Sequence, residues 1–465
     1  MHESTLPMND SIFKAYDVRG LYPEQIDEEA AWKIGYSSAR LLRSLLEGYD
    51  RGQDSAQSLV VGRDMRKHSP SLANSLTEGI TAENCNVFDI GMVDTPQVYF
   101  AINHFKTCGG IQITASHNPA NYNGCKISGQ KARPIGQDTG LQEIKHIAKT
   151  IRYRSGTGKG TITHVDLSKP YTQHVLSFLN SKIKRLKIVI DASNGMAGKW
   201  VPIIFGELDL DIIEINFETN GEFKHEPNPL VESNLDELKA RINLEKADIG
   251  ICFDGDADRL MVVDENGRSI GCDLFTGLLS QYFLEKEPGA TIIYDLRSSR
   301  VVAETITNGG GTPRRERVGH SFMKKTLKDT EAIFGGELSG HFYYRDSFYT
   351  DSGMITMVHL LNVLSNTDLT MSELIAPFRK FHTTGEQNFK VEDKDNAIKQ
   401  LQTMFKDGET DFLDGVTIQY KSWWVNCRAS NTEPFLRLNI EADNQEILSE
   451  KFAQIKTILG EPVDH

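Results

Sequence analysis

The sequence predicts an α/β protein built of three topologically similar α/β units followed by a smaller α+β domain. Three observations lead there. Apolar strand-like runs alternate with helix-like runs along most of the 465 residues, the pattern of helices layered on sheets. Three of these runs pass into a polar turn at intervals of roughly a hundred residues, the size of an ordinary domain. The last ~80 residues change to a mixed order of helix, strands and helix, so the chain closes on a domain of a different kind.

The elements follow in order. Ala31, Ile34, Ser38, Leu41, Leu42 and Leu45 recur at helical spacing and mark a helix ending near Gly48. Residues 51–58 form a polar loop. Leu59-Val-Val-Gly62 is a short strand ending at Arg63 and Asp64, and Leu72, Leu76 and Ile80 line the helix after it. Lys187-Ile-Val-Ile-Asp191 is a strand entering a turn at Gly195, and Thr291-Ile-Ile-Tyr-Asp295 is another. The stretches 155–160, 264–267 and 383–385 carry loop signals and stand as boundaries. The closing domain reads as a helix over 396–405, strands over 416–420 and 435–440, and a helix over 445–459.

Composition narrows the function. With 64 acidic and 51 basic side chains the net charge is −13, which disfavours nucleic acid and anionic membrane as partners. A locally basic pocket for a small anion remains compatible with it. The six cysteines form no C-x-x-C pair and read as free buried thiols. No basic start precedes an apolar run, and no stretch approaches the ~18 apolar residues of a membrane helix. The expectation is a cytoplasmic protein.

Four segments carry chemistry. In Ile111-Gln-Ile-Thr-Ala-Ser-His-Asn-Pro119 a strand-like start runs into a polar turn, which predicts Ser116 exposed on a tight loop, with Lys126 ten residues on. A plain turn would read the same way. The second is the strand Ala247-Asp-Ile-Gly-Ile-Cys-Phe253 followed by Asp254-Gly-Asp-Ala-Asp-Arg259. Three carboxylates at alternate positions repel one another without a counter-ion, and oxygen ligands of this kind suit Mg²⁺ or Ca²⁺. An EF-hand is excluded because Arg259 stands where the loop needs glycine and the flanks are strands.

The third segment is Phe334-Gly-Gly-Glu-Leu-Ser-Gly-His341, where glycines leave backbone room around Glu337 and Ser339, groups able to bind sugar hydroxyls. Upstream lies the densest basic cluster, Arg314, Arg315, Arg317, His320, Lys324, Lys325 and Lys328. It reads as a solvated helix face over 324–328, with His320 on a loop lining a pocket. The fourth segment, Arg428-Ala-Ser-Asn-Thr432, offers a guanidinium, two hydroxyls and an amide, the donors of a phosphate cradle. Two lookalikes fail: Gly156-Thr-Gly-Lys-Gly160 lacks the first glycine of a P-loop, and His225-Glu226 is not continued to a second histidine.

Together with Phe13-Lys-Ala-Tyr-Asp-Val-Arg-Gly20, these segments resemble, in order and over nearly the whole chain, the motifs of the α-D-phosphohexomutase family, in its bacterial phosphomannomutase/phosphoglucomutase branch. The resemblance implies four domains around a central active-site cleft: phosphoserine (1–158), metal (159–264), sugar (265–376) and a mobile phosphate-binding domain (377–465). It implies an isomerase that interconverts hexose 1- and 6-phosphates through a phosphorylated Ser116 and a hexose 1,6-bisphosphate. Glucose or mannose 1,6-bisphosphate would be the activator, and one Mg²⁺ would sit on Asp254, Asp256, Asp258 and the Ser116 phosphoryl group. Lys126 and His341 would be the acid/base candidates, supported by Arg19, His117 and Arg259. Tyr16, Arg297, His320, Glu337, Ser339, Arg428, Ser430, Asn431 and Thr432 would contact substrate.

The implied partners are small hexose phosphates, and the implied state is a monomer. Two departures stand out. Arg297 occupies a position where this branch usually has Lys, and Leu338 replaces the commoner Met. Phosphoglucosamine mutase, a phosphatase and a catalytically silent sugar-phosphate binder are the alternatives.

Overall fold

Four sheets follow one another along the chain in the computed structural model, which describes residues 8–46, 55–154, 158–180, 182–430 and 435–463. The first has six strands in the order Val18–Leu21, Tyr122–Gly129, Gly109–Ile113, Ser58–Arg63, Asn86–Met92 and Ile162–His164. The second runs Ser269–Ile270, Leu260–Asp264, Ile249–Phe253, Lys187–Asp191 and Asp211–Ile215. The third runs Thr312–Glu316, Thr291–Asp295, Phe334–Gly336, Phe342–Tyr344 and Thr350–Asp351.

One plan underlies all three. Two parallel strands pair with a third parallel strand, which turns back into an antiparallel neighbour. The turns fall after Ile113, Phe253 and Gly336. They are therefore the loops that hold Ser116, the three aspartates and Glu337. The central strands need both faces covered, and Ile249–Phe253 is buried at all five positions, as its unbroken apolar run dictates.

The fourth sheet is wholly antiparallel: His382–Phe389, Leu436–Ala442, Trp423–Ala429, Val416–Gln419 and Glu409–Asp411. Helices Lys394–Met404 and Gln445–Leu459 accompany it. Its core, built on Phe389, Leu401, Trp423, Leu438 and Ile455, is separate from the others. By contrast, one apolar cluster runs from Val60 through Trp200, Phe253 and Phe283 to Phe378, joining the first three units.

Local differences have local causes. The helix Glu28–Ser44 stops short of Gly48, and Leu45 is 48% exposed instead of continuing the apolar face. The 264–267 stretch is the turn of a hairpin whose second strand, Ser269–Ile270, extends the second sheet beyond Asp264. His320 opens the helix His320–Asp329 and is not on a loop. Lys324 is buried, 2.8 Å from Asp351 and over the Tyr99 ring, because its helix turns that residue toward the first unit. The face over 324–328 is thus only partly solvated. All six cysteines are buried and free. No described helix is long and apolar enough to cross a membrane.

Candidate active site

Three helix N-termini converge on the loop Asp254-Gly-Asp-Ala-Asp-Arg259. The amide of Met196 donates to the Gly255 carbonyl (2.9 Å), that of Thr95 to Asp256 (3.1 Å) and that of Gly353 to Ala257 (3.1 Å). Each donor caps or opens a helix in a different unit: Ala197–Phe205, Thr95–Phe105 and Gly353–Ser365. Helix-terminal amides have no partner within their own helices, so the loop carbonyls satisfy them. Oxygens of Asp254, Asp256 and Asp258 lie within 4.8 Å of one another, and all three residues are buried.

Ser116 meets this loop. Its Oγ donates to Asp254 Oδ2 at 2.8 Å, and a β-carbon on Gly255 would stand 2.4 Å from its carbonyl oxygen, so that approach requires glycine. Ser116 has φ +50°, the left-handed region, and its amide donates to Thr114 Oγ1 at 2.8 Å. The expected exposure is corrected: Ser116 is fully buried, because the aspartate loop of the second unit covers it.

Cations ring the carboxylates. Lys126 Nζ bonds Asp256 Oδ2 at 2.7 Å and also Asp258, and Thr95 Oγ1 donates to Asp256 Oδ2. Burial works against the charge on Lys126, but Asp256 and Asp258 outweigh it and hold its pKa above the usual lysine range. Arg259 lies 3.8 Å from Asp254, and Arg19 is anchored by Asp17 (2.8 Å) and Asn118 (2.5 Å). His117 Nδ1 is 3.4 Å from Ser116 Oγ; burial, then Arg259 and Arg19, keep its imidazole neutral. Asp254 is driven well above the carboxylate range by burial and by Asp258 and Asp256. Asp256 Oδ1 is buried with no hydrogen-bond partner. A set of hard oxygens, two of them (Asp256 Oδ1 and Asp258 Oδ1) without a hydrogen-bond partner, fits a divalent cation.

The third loop closes on the second through an isolated bridge between Arg259 and His341 and a bond from Leu260 N to Gly340 O (3.1 Å). His341 lies 3.3 Å from Asp258 and 3.2 Å from Glu337. Burial and Arg259 oppose its charging, but those carboxylates prevail and its pKa stands at about 9. Glu337 is held at about 2 against burial, chiefly by His341, and receives Gly319 N, Ser339 Oγ and Tyr343 Oη at 2.9–3.0 Å. His320, kept neutral by burial and Lys324, stacks edge-on with Tyr16 at 5.5 Å. The Tyr16 hydroxyl reaches Val318 O (3.3 Å), and Gly319, at φ +132°, leaves room for it. The first and third units thus touch beside the site.

Arg428 belongs to a different cluster. Its Nη2 donates to Glu386 Oε2 (2.5 Å), Arg437 reaches the other oxygen (3.2 Å), and Arg297, paired with Asp295 at 2.7 Å, lies 3.6 Å from Glu386. Ser430 N donates to Phe435 O, while Asn431 and Thr432 lie outside the described residues. Ser116, Lys126, the aspartates, Arg19, His117, Arg259 and His341 therefore form one group and Arg297 and Arg428 another. The sequence reading missed Thr95, whose Asp94-Thr-Pro96 helix start carried a capping signal but none for a partner 161 residues away. It also missed Tyr343, which has no local signal.

Mixed sheets whose loops meet at the ends of equivalent strands set a buried serine against three aspartates at the junction of three α/β units. The chain belongs to the phosphoglucomutase/phosphomannomutase family: its alpha/beta/alpha domains I, II and III match residues 10–155, 169–267 and 272–381, and its C-terminal domain matches 386–458. Phosphomannomutase of Vibrio cholerae is 38% identical over 459 residues, covering 96% of this chain and 98% of that protein. A protein of Xanthomonas campestris named phosphohexose mutases is 36% identical, covering 95% and 97%. A phosphoglucomutase/phosphomannomutase family protein of Burkholderia thailandensis has a solved structure that superposes with a TM-score of 0.86 at 31% identity, covering 97% and 98%.

Proposed function

We propose that this hexose phosphate mutase interconverts the 1- and 6-phosphates of glucose and mannose, with Ser116 as the phosphoryl carrier. The observation that carries the reading is the buried Ser116 Oγ, 2.8 Å from Asp254 Oδ2, beside two further carboxylates. Phosphorylated Ser116 would donate to the free hydroxyl of a hexose monophosphate. The resulting 1,6-bisphosphate would turn over in the cleft, and its other phosphate would return to Ser116. Glucose or mannose 1,6-bisphosphate would restore any phosphoserine lost.

The four units would divide the work as phosphoserine, metal, sugar and phosphate-binding domains. Asp254, Asp256 and Asp258, with a phosphoserine oxygen, would hold one Mg²⁺. Bound there, the ion would neutralise charge on the transferring phosphoryl oxygens. Lys126 and His341, both cationic, would donate to those oxygens, as would Arg19 and Arg259, and neutral His117 can accept a proton. Glu337 and Ser339 would hold the sugar 3- and 4-hydroxyls, which glucose and mannose share. Arg297 and Arg428, with Ser430, Asn431 and Thr432, would take the distal phosphate, and Tyr16 and His320 would flank the sugar.

The test is intact mass with peptide mapping before and after glucose 1,6-bisphosphate, beside turnover of the Ser116→Ala variant. Phosphate is expected on Ser116, and the variant is expected to lose turnover by roughly 10³-fold or more. Full activity in that variant overturns the mechanism. Faster turnover of glucosamine phosphate than of either hexose overturns the sugar assignment.

A further inference from the structure

Arg66, 1% exposed, lies directly behind the Ser116 loop. A guanidinium has five N–H donors, and all five find acceptors here. Nε donates to Asp64 Oδ2 (3.2 Å), Nη1 to the carbonyls of Pro119 (2.6 Å) and Tyr122 (3.1 Å), and Nη2 to those of Ser116 (2.9 Å) and Asn118 (2.6 Å). Four of the five acceptors are thus backbone oxygens, three of them on the loop that carries Ser116 and the fourth at Tyr122, where the next strand begins. Asp64 is fully buried, receives Arg66 N and Ser69 Oγ, and is tied by its own amide to Ile113 O at 2.9 Å. Phe223 of the second unit covers the guanidinium at 5.0 Å.

Four carbonyl oxygens turned toward one buried point repel one another unless a cation with diverging donors fills it. The planar guanidinium does that, whereas an ammonium has only three donors on one atom. A non-glycine residue in the left-handed region persists where its surroundings over-determine it, and Ser116 is such a residue. We propose that Arg66 is the positioning residue of Ser116: its fork holds the loop carbonyls inward, which aims Ser116 Oγ at Asp254, and it acts without touching substrate. The kinetic consequence rests on the mutase reading; the effect on the loop does not.

The test uses full-length Arg66→Lys and Asp64→Asn, the latter keeping all five donors of Arg66 while removing its buried counter-charge. Thermal midpoint, hydrogen exchange of the peptide 114–122 and kinetics with glucose 1-phosphate are measured for each. Arg66→Lys is expected to speed exchange of that peptide about tenfold, with 249–263 unchanged. Its kcat is expected to fall about 10- to 100-fold, since a small misplacement of a reacting group has that effect, while KM stays within about twofold. Asp64→Asn is expected to move the same readouts less. Unchanged exchange over 114–122 in both variants overturns the proposal, as does faster exchange spread through the first unit with kcat intact. Should Arg66→Lys fail to fold, Asp64→Asn decides on the same readouts. A wild type without mutase turnover overturns the functional reading alone, and exchange still decides on Arg66.

Discussion

The surroundings of Ser116 and those of Arg428 are built by different means. Around Ser116, backbone bonds from three units lock the aspartate loop, and an apolar cluster shared by those units lies beside the first unit's own core of Val61, Ile111 and Ile113. Around Arg428, the fourth unit has its own core and meets the third through charged side chains. Arg300 reaches Glu441 (3.2 Å) and Asp443 (2.8 Å), Arg315 pairs with Asp411, and Arg297 leans on Glu386. Backbone bonds and a shared core resist displacement by fractions of an ångström. Ion pairs between long side chains, here ranging from largely buried to partly exposed, can exchange partners without breaking a backbone bond. The difference teaches that the surroundings of Ser116 are preorganised, while those of Arg428 are attached in a way that permits adjustment.

The largest expected effect breaks the rigid side. Asp256→Asn leaves Lys126 and Thr95 without their shared carboxylate, and kcat is expected to fall by about 100-fold or more, measured at saturating metal. A loss under tenfold would mean the triad is not the reacting centre. On the other side, Arg428→Ala is expected to raise KM about 10- to 100-fold, the effect of losing hydrogen bonds to a charged group, with kcat less affected. An unchanged KM would detach Arg428 from the substrate.

Acid should also separate the two regions. His359, on the helix whose first amide binds Ala257, is enclosed by Phe178, Tyr282, Phe283 and Tyr344, and neither ring nitrogen has a partner. Burial, with Lys286, lowers its pKa to about 3. The folded pKa lies below the ordinary value of 6.5, so the unfolded chain binds a proton that the folded chain does not. Its contribution is full above about pH 6.5 and is lost as pH falls toward 3, roughly 2 kcal/mol of it by pH 5. Urea unfolding at pH 7.5 and 5 reads this, and His359→Leu should flatten the dependence. Equal slopes in both proteins would remove His359 as the cause. The last is Arg300→Ala, which takes a charged donor from buried Glu441 and half-exposed Asp443 and is expected to cost about 1–3 kcal/mol in domain attachment, the Asp443 part weaker in high salt, read by limited proteolysis. A loss that salt does not alter would mean the attachment is not ionic.

The sequence by itself determined several of the strands, the order of the loops and which polar segments stand at their ends. Apolar periodicity is a local property, and the spacing Asp254, Asp256, Asp258 can be read within six residues. Burial, pairing and support were decided only by the tertiary structure. Ser116 looked exposed because its cover comes from residues 254–258, and Lys324 looked solvated because Asp351 and Tyr99 are distant in sequence. Thr95 and Arg66 gave no sign of these roles, since each acts on a loop that the chain reaches 50 or more residues later. Those roles arise when equivalent strand ends of three units meet, and charge, amides and carbonyls from separate segments must then satisfy one another out of water.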